Sequence, residues 1–249
     1  DLHSFPTRRS SDLSLTGKAN AKCVLMIDGT KVSKISEEWL DRILNDNEIS
    51  NTRAWTYSKN NHSFYIFTVG NETYCYDIMT GEWHIRSSRN YYNSKTKPYM
   101  PLYAVWFNNK IITGCCENGN LYVLDDNYYK EDFDSEHSLP LYRVRQTPVI
   151  TADYKPFVLY QLSLECNAGS IENYGKLSKA LLQMSNDGGY TFGNVIDASL
   201  GERGQYSARL SWLNLGMTRQ CVLKVMFSED SDFVISDANL RFNILNTPI

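Results

Sequence analysis

One local pattern recurs along the first half of the sequence at a nearly constant interval. A short apolar segment runs into a turn that contains an aspartate, at Asp28, Asp77 and Asp125. Successive aspartates are 49 and 48 residues apart. Repeats of about 40–50 residues built from short strands are typical of β-propeller blades. The sequence therefore predicts an all-β chain whose residues 14–150 form the C-terminal blades of a propeller.

The segments between these aspartates have the pattern of antiparallel strands. Residues 63–69 and 72–78 are rich in aromatic and β-branched side chains and flank Gly70 and Asn71, a hairpin signal. Residues 104–107 and 110–115 repeat this arrangement around a pair of asparagines. Each pair predicts two neighbouring strands of a blade.

One helix is predicted between two blades, over residues 36–46. Ser36 is a good N-cap, and acidic residues follow it in the first turn. Trp39, Ile43 and Leu44 would share the apolar face of this helix.

The last hundred residues are also rich in strand signals. Residues 157–166, 205–213, 221–227 and 238–244 each carry one. We expect 151–249 to be a β-rich region that either closes the propeller or forms a separate β-sandwich.

The first 13 residues, DLHSFPTRRSSDL, resemble a translated sequencing adapter. We expect residues 1–13 to be an artefact of this kind. The protein would then continue upstream, and the sequence would be a fragment that lacks N-terminal blades.

Charge and motifs exclude several classes of function. A net charge of −3 provides no broad basic face for gripping nucleic acid, and no apolar run is long enough to predict a transmembrane helix. The 6 cysteines form no CxxC pair, so free thiols are expected in place of a zinc site. Motifs for nucleotide binding or for a nucleophilic serine do not occur. We therefore predict no cofactor, no metal and no enzymatic activity.

One segment matches the Asp-box pattern, S-x-D-x-G-x-T-F. Its members are Ser185, Asp187, Gly189, Thr191 and Phe192. In such a box the carboxylate accepts backbone hydrogen bonds, glycine supplies a positive φ and the aromatic ring anchors the turn, so the motif predicts a structural hairpin. A glycosidase would also need paired carboxylates and clustered arginines. The candidates are Arg143, Arg145, Arg203 and Arg209, and the sequence does not order them.

Two polar segments are explained without a catalytic or calcium-binding role. Strand alternation places Trp83 and Ile85 on one face and His84 and Arg86 on the other, which predicts a polar outer face or a subunit contact. The acidic segment 125–136 lacks the glycine of a calcium loop, so we expect a solvated loop.

Several of these segments together resemble the stabilisation proteins of short-tailed phages, also called packaged-DNA stabilisation or head–tail hub proteins. The resemblance covers about residues 24–244. Its most specific parts are YDIMTGEWHIRSS and the run from GERGQYSARLSW to Gly216. The residues that carry the two motifs are Tyr76, Asp77, Trp83, His84, Arg86, Tyr206, Arg209, Trp212 and Gly216.

The resemblance implies a structural protein of the phage virion. Such proteins resemble β-propellers assembled as a ring, by resemblance a hexamer, beneath the portal and its adaptor. The ring would extend the DNA channel, help to retain packaged DNA during storage and dock a tail needle or tailspikes, and it would assemble in the host cytoplasm. We expect Arg143 and Arg145 to contribute ring contacts, and no membrane partner. The alternative is a carbohydrate-active propeller, sialidase-like or a glycan-binding tail protein.

Overall fold

The computed structural model describes residues 22–28, 30–49, 52–93, 95–115, 117–133, 137–168, 179–200, 208–229 and 233–245. The chain divides into two compact units, Asp1–Asp125 and Asp126–Ile249. Strands dominate both units, and the prediction of an all-β chain is confirmed. The domain limits expected from the sequence, 14–150 and 151–249, stay a prediction, and residues 1–13 lie outside the described part of the chain.

In the part of the first unit that the structure describes, short antiparallel strands accompany one helix. Its elements are β1 Leu25–Asp28, β2 Lys31–Lys34, α1 Glu38–Asp46, β3 Arg53–Lys59, β4 His62–Val69, β5 Glu72–Asp77, β6 Glu82–Arg89, β7 Thr96–Pro98, β8 Pro101–Phe107, β9 Lys110–Cys115 and β10 Leu121–Val123. They form sheets of the order β1-β2, β3-β4-β5-β6-β7 and β10-β9-β8.

Tight turns set the register of these sheets. Asn60 and Asn61 join β3 to β4, and Asn108 and Asn109 join β8 to β9, all four with positive φ. Two consecutive residues of this conformation form the turn whose twist matches that of the flanking strands, and asparagine tolerates it better than most side chains. The predicted turn at Gly70 connects β4 to β5 with a φ of +58°.

The strand positions follow the spacing seen in the sequence. β8 begins 48 residues after β3, β9 begins 48 residues after β4, and β10 begins 49 residues after β5. Strands β3–β6 therefore make a complete central blade. The hairpin β1–β2 corresponds to the last two strands of a first blade segment, and β8–β10 to the first three strands of a third blade segment. The β-propeller prediction is confirmed.

The central blade is covered on both faces. Tyr65, Phe67 and Tyr74 pack on one side against Leu40 and Leu44 of α1. On the other side, Trp55, Ile66 and Cys75 are buried, and partly buried side chains that include Ala104 and Leu124 pack against them. A blade in the middle of a propeller is apolar on both faces for this reason.

The helix lies close to its predicted limits but has a different cap. It spans Glu38–Asp46, and the N-cap is Glu37, which makes no side-chain cap bond. The Ser36 hydroxyl instead accepts a hydrogen bond from the Val24 amide (3.0 Å) and donates one to Asp41 (2.5 Å). Ser36 thus joins the helix to the first blade segment, and the capping prediction was wrong.

The buried face of the helix also differs from the predicted one. Leu40 and Leu44, one turn apart, are fully buried, whereas Trp39 remains partly exposed and Ile43 packs at the margin of the cluster.

The second unit contains ten strands within its described residues. Its elements are β11 Lys130–Asp132, β12 Ser138–Pro140, β13 Arg143–Gln146, β14 Ile150–Thr151, β15 Phe157–Ala168, β16 Lys179–Ser185, β17 Ile196–Ser199, β18 Ala208–Thr218, β19 Gln220–Phe227 and β20 Phe233–Ile244. One sheet has the order β13-β19-β16-β17, with β14 also paired to β19, and the other has the order β18-β15-β20.

The two larger sheets form a β-sandwich. Leu159, Leu162 and Trp212 from one sheet meet Leu182 and Leu223 from the other in a single buried cluster. In β19, alternate residues from Cys221 to Phe227 point into this cluster, as the period-2 pattern requires. In β15, a β-bulge after Leu159 shifts the alternation by one residue, so that Leu162 also points inward. Of the two architectures that the sequence left open for this region, the sandwich is correct.

Candidate functional site

The Asp77 carboxylate anchors the turn that marks the repeat. It accepts hydrogen bonds from the Met79 amide (3.0 Å) and lies 2.6 Å from the Nδ1 atom of His62. Burial alone would raise the pKa of Asp77, but the hydrogen bonds from His62 and from the Met79 amide outweigh it and hold the pKa below its usual value. Asp77 is thus a turn residue whose carboxylate is held in its ionised form.

The motif residues of β6 point to opposite faces, as predicted. Trp83 lies on the face of the sheet that packs against α1. Its Nε1 atom donates a hydrogen bond to the Ile35 carbonyl (2.8 Å). The Tyr76 ring lies beside it in a tilted arrangement, with ring centroids 4.8 Å apart. His84 and Arg86 lie on the other face, which was predicted to be a polar outer face or a subunit contact. Both side chains are half-buried, and aromatic rings lie around the Arg86 guanidinium, so this face is not a polar outer face; the subunit contact stays a prediction.

Arg86 lies inside a cage of aromatic rings. Its guanidinium carbon is 5.0 Å from the ring centre of Phe64, 5.5 Å from that of Tyr57 and 5.9 Å from that of Tyr99. Its Nε atom donates a hydrogen bond to Nε2 of His84 (3.2 Å). Cation–π attraction strengthens when the charge is shielded from water, so the cage stabilises an arginine in an otherwise apolar layer.

The environment of this cage keeps its neighbours neutral. Burial raises the pKa of Tyr57 to about 12, although Arg86 acts in the opposite direction. Burial likewise raises the pKa of the Cys75 thiol to about 11. A thiol with a raised pKa is a poor nucleophile near neutral pH. The cage thus joins side chains of β3, β4 and β6 to Tyr99, which lies between β7 and β8.

The Asp-box residues form one closed turn in the sandwich. The Asp187 carboxylate accepts hydrogen bonds from the Thr191 amide (2.9 Å) and hydroxyl (2.5 Å) and from the Ser185 hydroxyl (2.6 Å). These bonds hold the pKa of Asp187 well below its usual value. Gly189 supplies a φ of +100°, and the Phe192 ring lies 3.8 Å from the Lys224 ammonium. The Asp187 carboxylate thus binds donors of the turn itself, while the Asn186 carbonyl accepts a hydrogen bond from Gln220 of β19.

The second family motif has structural contacts where it is described. Trp212 is buried and donates a hydrogen bond from Nε1 to the Ile196 carbonyl of the opposite sheet (3.0 Å). Arg209 forms an ion pair with Glu165 on the neighbouring strand. Gly216 has a φ of +98°. Tyr206 lies outside the described residues.

The two arginines expected at ring contacts have different environments. The Arg143 guanidinium carbon lies 4.8 Å from the ring centre of Phe227 and 5.4 Å from that of Tyr129. Its Nη2 atom donates a hydrogen bond to the Glu229 carbonyl (3.1 Å). Arg145, two residues along β13, is exposed. Arg143 thus has contacts within the sandwich, while Arg145 faces solvent.

The arginines considered for a glycosidase are not drawn together. Arg143 and Arg145 lie on β13 of one sheet, whereas Arg209 lies on β18 of the other and pairs with Glu165. Arg203 lies outside the described residues. The segment 125–136 contains the short strand β11, paired with β12, so the part of it that the structure describes is not entirely a loop.

Other features of the described residues bear on chemistry. Among these residues no group of three or more His, Cys, Asp and Glu side chains is placed to hold a metal ion. No helix in the described ranges is sufficiently long and apolar to span a bilayer. The cysteines of the described ranges, Cys23, Cys75, Cys115, Cys166 and Cys221, are free thiols, as expected.

Sequence reasoning missed one exposed surface. Tyr103, Val105 and Phe107 of β8, with Leu121 and Val123 of β10, are large apolar side chains exposed to solvent. The residues that pair across the strands lie on one face of the sheet, so these five form a continuous apolar surface. The sequence shows the alternation of apolar side chains in β8. It does not show that this face is exposed, because exposure depends on which segments pack there.

Two family models match the sequence. The model for the β-propeller of bacteriophage P22 Gp10 matches residues 14–129. The model for the β-sandwich of the same protein matches residues 142–243. Together they cover most of the chain in the order propeller, then sandwich, which is the order of the two units.

The other comparisons add little. No curated protein sequence matches the chain significantly. One matching solved structure is a glycoside hydrolase family 43 arabinoxylan arabinofuranohydrolase from Bacillus subtilis in complex with cellotetraose, at 10% identity and a TM-score of 0.20. The match covers 77% of this chain and 52% of that one, so the chain spans about half of the length of the hydrolase. With so low a TM-score, the likeness carries no argument.

Proposed function

Since this chain belongs to the stabilisation-protein family of bacteriophage P22 Gp10 and is a phage structural protein, we propose that it is a hub protein of the head–tail junction. In this role, copies of the chain form a ring, a hexamer by family resemblance, that extends the portal channel and helps to retain packaged DNA. The ring docks a tail needle or tailspikes and assembles in the host cytoplasm before joining the virion.

The observation that carries this proposal is the two-domain match, from residue 14 to residue 243, onto one phage protein. The two units of the structure have the same order and the same fold types. A blade and a sandwich occur separately in many proteins, but their succession in one chain is more specific.

The charge of the chain supports a channel through which DNA slides. Lysine and arginine contacts with phosphate hold DNA in place, and each contact adds to the affinity. The net charge of −3 provides no excess of such contacts. A wall of this kind surrounds DNA without gripping it, and we propose no sequence-specific binding.

The structure favours Arg145 over Arg143 as a contact between copies in the ring. Arg143 stacks on Phe227 and Tyr129 within its own unit, so a change there alters the sandwich itself. Arg145 is exposed on the same strand. An exposed arginine suits an interface because it can make several hydrogen bonds to a partner.

The proposed role is tested in the source phage by a stop codon in this gene. On a non-suppressing host we expect particles that package DNA and then lose it, measured as DNase-sensitive DNA after purification. The same phage grown on a suppressing host is the control. Particles that keep their DNA and remain infectious without the protein contradict the role.

The ring is tested separately with the purified protein. Light scattering and negative-stain microscopy are expected to show a closed ring, and Arg145→Glu is expected to weaken it. Arg241→Glu, at an exposed arginine of β20 in the other sheet, makes the same change of charge and is the matched control. A ring unaffected by Arg145→Glu removes this residue from the interface, and a monomer at all concentrations contradicts the ring.

A further inference from the structure

The segment between β9 and β10 contains the one Asn-Gly pair of the sequence, Asn118 and Gly119. Gly119 is exposed, and a Cβ at this position would meet nothing within 4 Å. Its backbone nitrogen is therefore unshielded, because glycine has no side chain and no neighbouring group covers it. An unshielded backbone nitrogen that follows an asparagine can attack Cγ, the carbonyl carbon of the asparagine side chain.

The side-chain amide of Asn118 is held by a hydrogen bond at each of its two ends. Its Oδ1 atom accepts a hydrogen bond from the Asn120 amide (3.1 Å), and its Nδ2 atom donates one to the Tyr122 hydroxyl (3.1 Å). Tyr122 lies on β10, where it pairs with Thr113 of β9. Two hydrogen bonds of ordinary length therefore orient the Asn118 amide within the turn.

These two partners are the groups that an attack on Cγ requires. Negative charge develops on Oδ1 as the carbon becomes tetrahedral, and the Asn120 amide already donates a hydrogen bond to this oxygen, as in an oxyanion hole. The Nδ2 nitrogen leaves as ammonia once it gains a proton, and the Tyr122 hydroxyl lies at hydrogen-bond distance from it. The turn therefore combines a nucleophile, an oxyanion donor and a proton donor.

We propose that Asn118 is a site of self-modification by intramolecular deamidation. The Gly119 nitrogen forms a bond to Cγ and releases its proton to water. The bond from Cγ to Nδ2 breaks, and ammonia leaves with a proton from Tyr122, which water then restores. The cyclic imide takes up one water molecule and opens to aspartate or isoaspartate. The inference rests on the geometry of this turn, and it is independent of the role in the phage.

An Asp-Gly pair in the sandwich shows how the fold suppresses the related reaction. Gly188 follows Asp187, and a Cβ at Gly188 would also meet nothing within 4 Å. The Asp187 carboxylate accepts hydrogen bonds from the hydroxyls of Ser185 and Thr191, which favour its charged form. Cyclisation needs the neutral acid, because a carboxylate anion does not expel an oxide ion. We therefore expect this pair to stay unmodified.

The modification changes both the charge and the contacts of the turn. The product carries a carboxylate at position 118, next to Glu117, which forms an ion pair with Lys97. A carboxylate donates no hydrogen bond, so the contact with Tyr122 can persist only if the phenol becomes the donor. In isoaspartate the backbone also gains one methylene group, which lengthens the connection between β9 and β10.

The test follows the peptide that contains Asn118 in purified protein kept in neutral buffer. Peptide mass spectrometry is expected to show conversion of the Asn118 amide to aspartate and isoaspartate, with no isoaspartate at Asp187. The decisive comparison is with the same protein unfolded in guanidinium chloride. We expect the folded protein to react faster by about tenfold or more, because the fold positions the Asn120 amide and the Tyr122 hydroxyl at the reacting group.

A variant tests the proton donor directly. Tyr122→Phe keeps the ring and removes the hydroxyl, so this variant is expected to lose most of the rate advantage of the folded protein. Tyr160→Phe, at an exposed tyrosine of the second unit, is the matched control and is expected to leave the rate unchanged. The comparison of the folded and unfolded parent protein needs no variant, so it decides the matter even if Tyr122→Phe does not fold.

Each contrary result overturns the proposal. A rate in the folded protein equal to or below that of the unfolded protein shows that the turn does not promote the reaction. An unchanged rate in folded Tyr122→Phe shows that the hydroxyl is not the proton donor. An Asn118 amide that stays intact in the folded protein, while it is lost in the unfolded one, shows that the fold protects this site.

Discussion

Truncating Trp212 tests the conclusion that the second family motif is structural. The side chain is 1% exposed at the centre of the sandwich core, and it donates a hydrogen bond to Ile196 of the opposite sheet. Truncation of a buried tryptophan to alanine costs about 3–5 kcal/mol. A domain has a total stability of only about 5–15 kcal/mol. We therefore expect Trp212→Ala to remove a large part of the stability of the second unit.

The size of the effect is read from urea unfolding. With a loss of about 4 kcal/mol and an m value of about 2 kcal/mol/M, the midpoint of the second unit falls by about 2 M. Each unit has its own core, so the unfolding of the second unit is measured separately, through amide hydrogen exchange in β19. Trp212→Phe keeps most of the ring volume and loses the hydrogen bond, which is worth about 1 kcal/mol. Its midpoint is expected to fall by less than half as much.

The neighbouring residue is the control. Leu213 is 60% exposed, so Leu213→Ala is expected to stay within about 0.5 kcal/mol of the parent protein. If Trp212→Ala shifts the midpoint no more than Leu213→Ala does, the motif tryptophan does not stabilise the sandwich, and a contact with another protein becomes its better explanation.

Three further outcomes are expected. Gly216→Ala should lower the free energy of unfolding in urea by about 1–2 kcal/mol, because φ is +98° at this position, where an added Cβ meets only open space. Gly114→Ala is the control, since a Cβ there also meets nothing within 4 Å, and its effect should be near zero. Equal losses of stability refute the backbone argument. The folded pKa of Asp187 is lowered, so its stabilisation is complete above the unfolded value, about 3.9, and is lost as pH falls through the folded value; Asp187→Asn should abolish this acid dependence of Tm, and an unchanged profile contradicts it. Iodoacetamide at pH 8 should label the half-buried Cys115 well before Cys75, whose burial raises its pKa to about 11; peptide mass spectrometry that finds the reverse order shows that the central blade opens.

Sequence patterns predicted the structure correctly where that structure depends on neighbouring residues alone. The turns at Asn108 and Gly70 follow from which residues tolerate a positive φ, and strand alternation follows from the geometry of an extended chain. The same alternation placed His84 and Arg86 on one face and Trp83 on the other. It could not tell which face meets water, because in a propeller blade both faces are covered.

Predictions failed where a distant partner competes for a side chain. Ser36 has the chemistry of an N-cap, but the Val24 amide, twelve residues earlier, and the Asp41 carboxylate use its hydroxyl. No local pattern contains these partners.

The sequence by itself determined the all-β class, the spacing of the blades, the Asp-box segment and the phage family, because turn chemistry, strand period and motif order are properties of neighbouring residues. The tertiary structure alone decided which rows of apolar side chains are covered by another sheet. Trp55 and Tyr103 occupy corresponding positions in two blades, yet one is buried and the other exposed. Burial depends on whether another sheet lies within contact distance, and that is a property of the assembled fold.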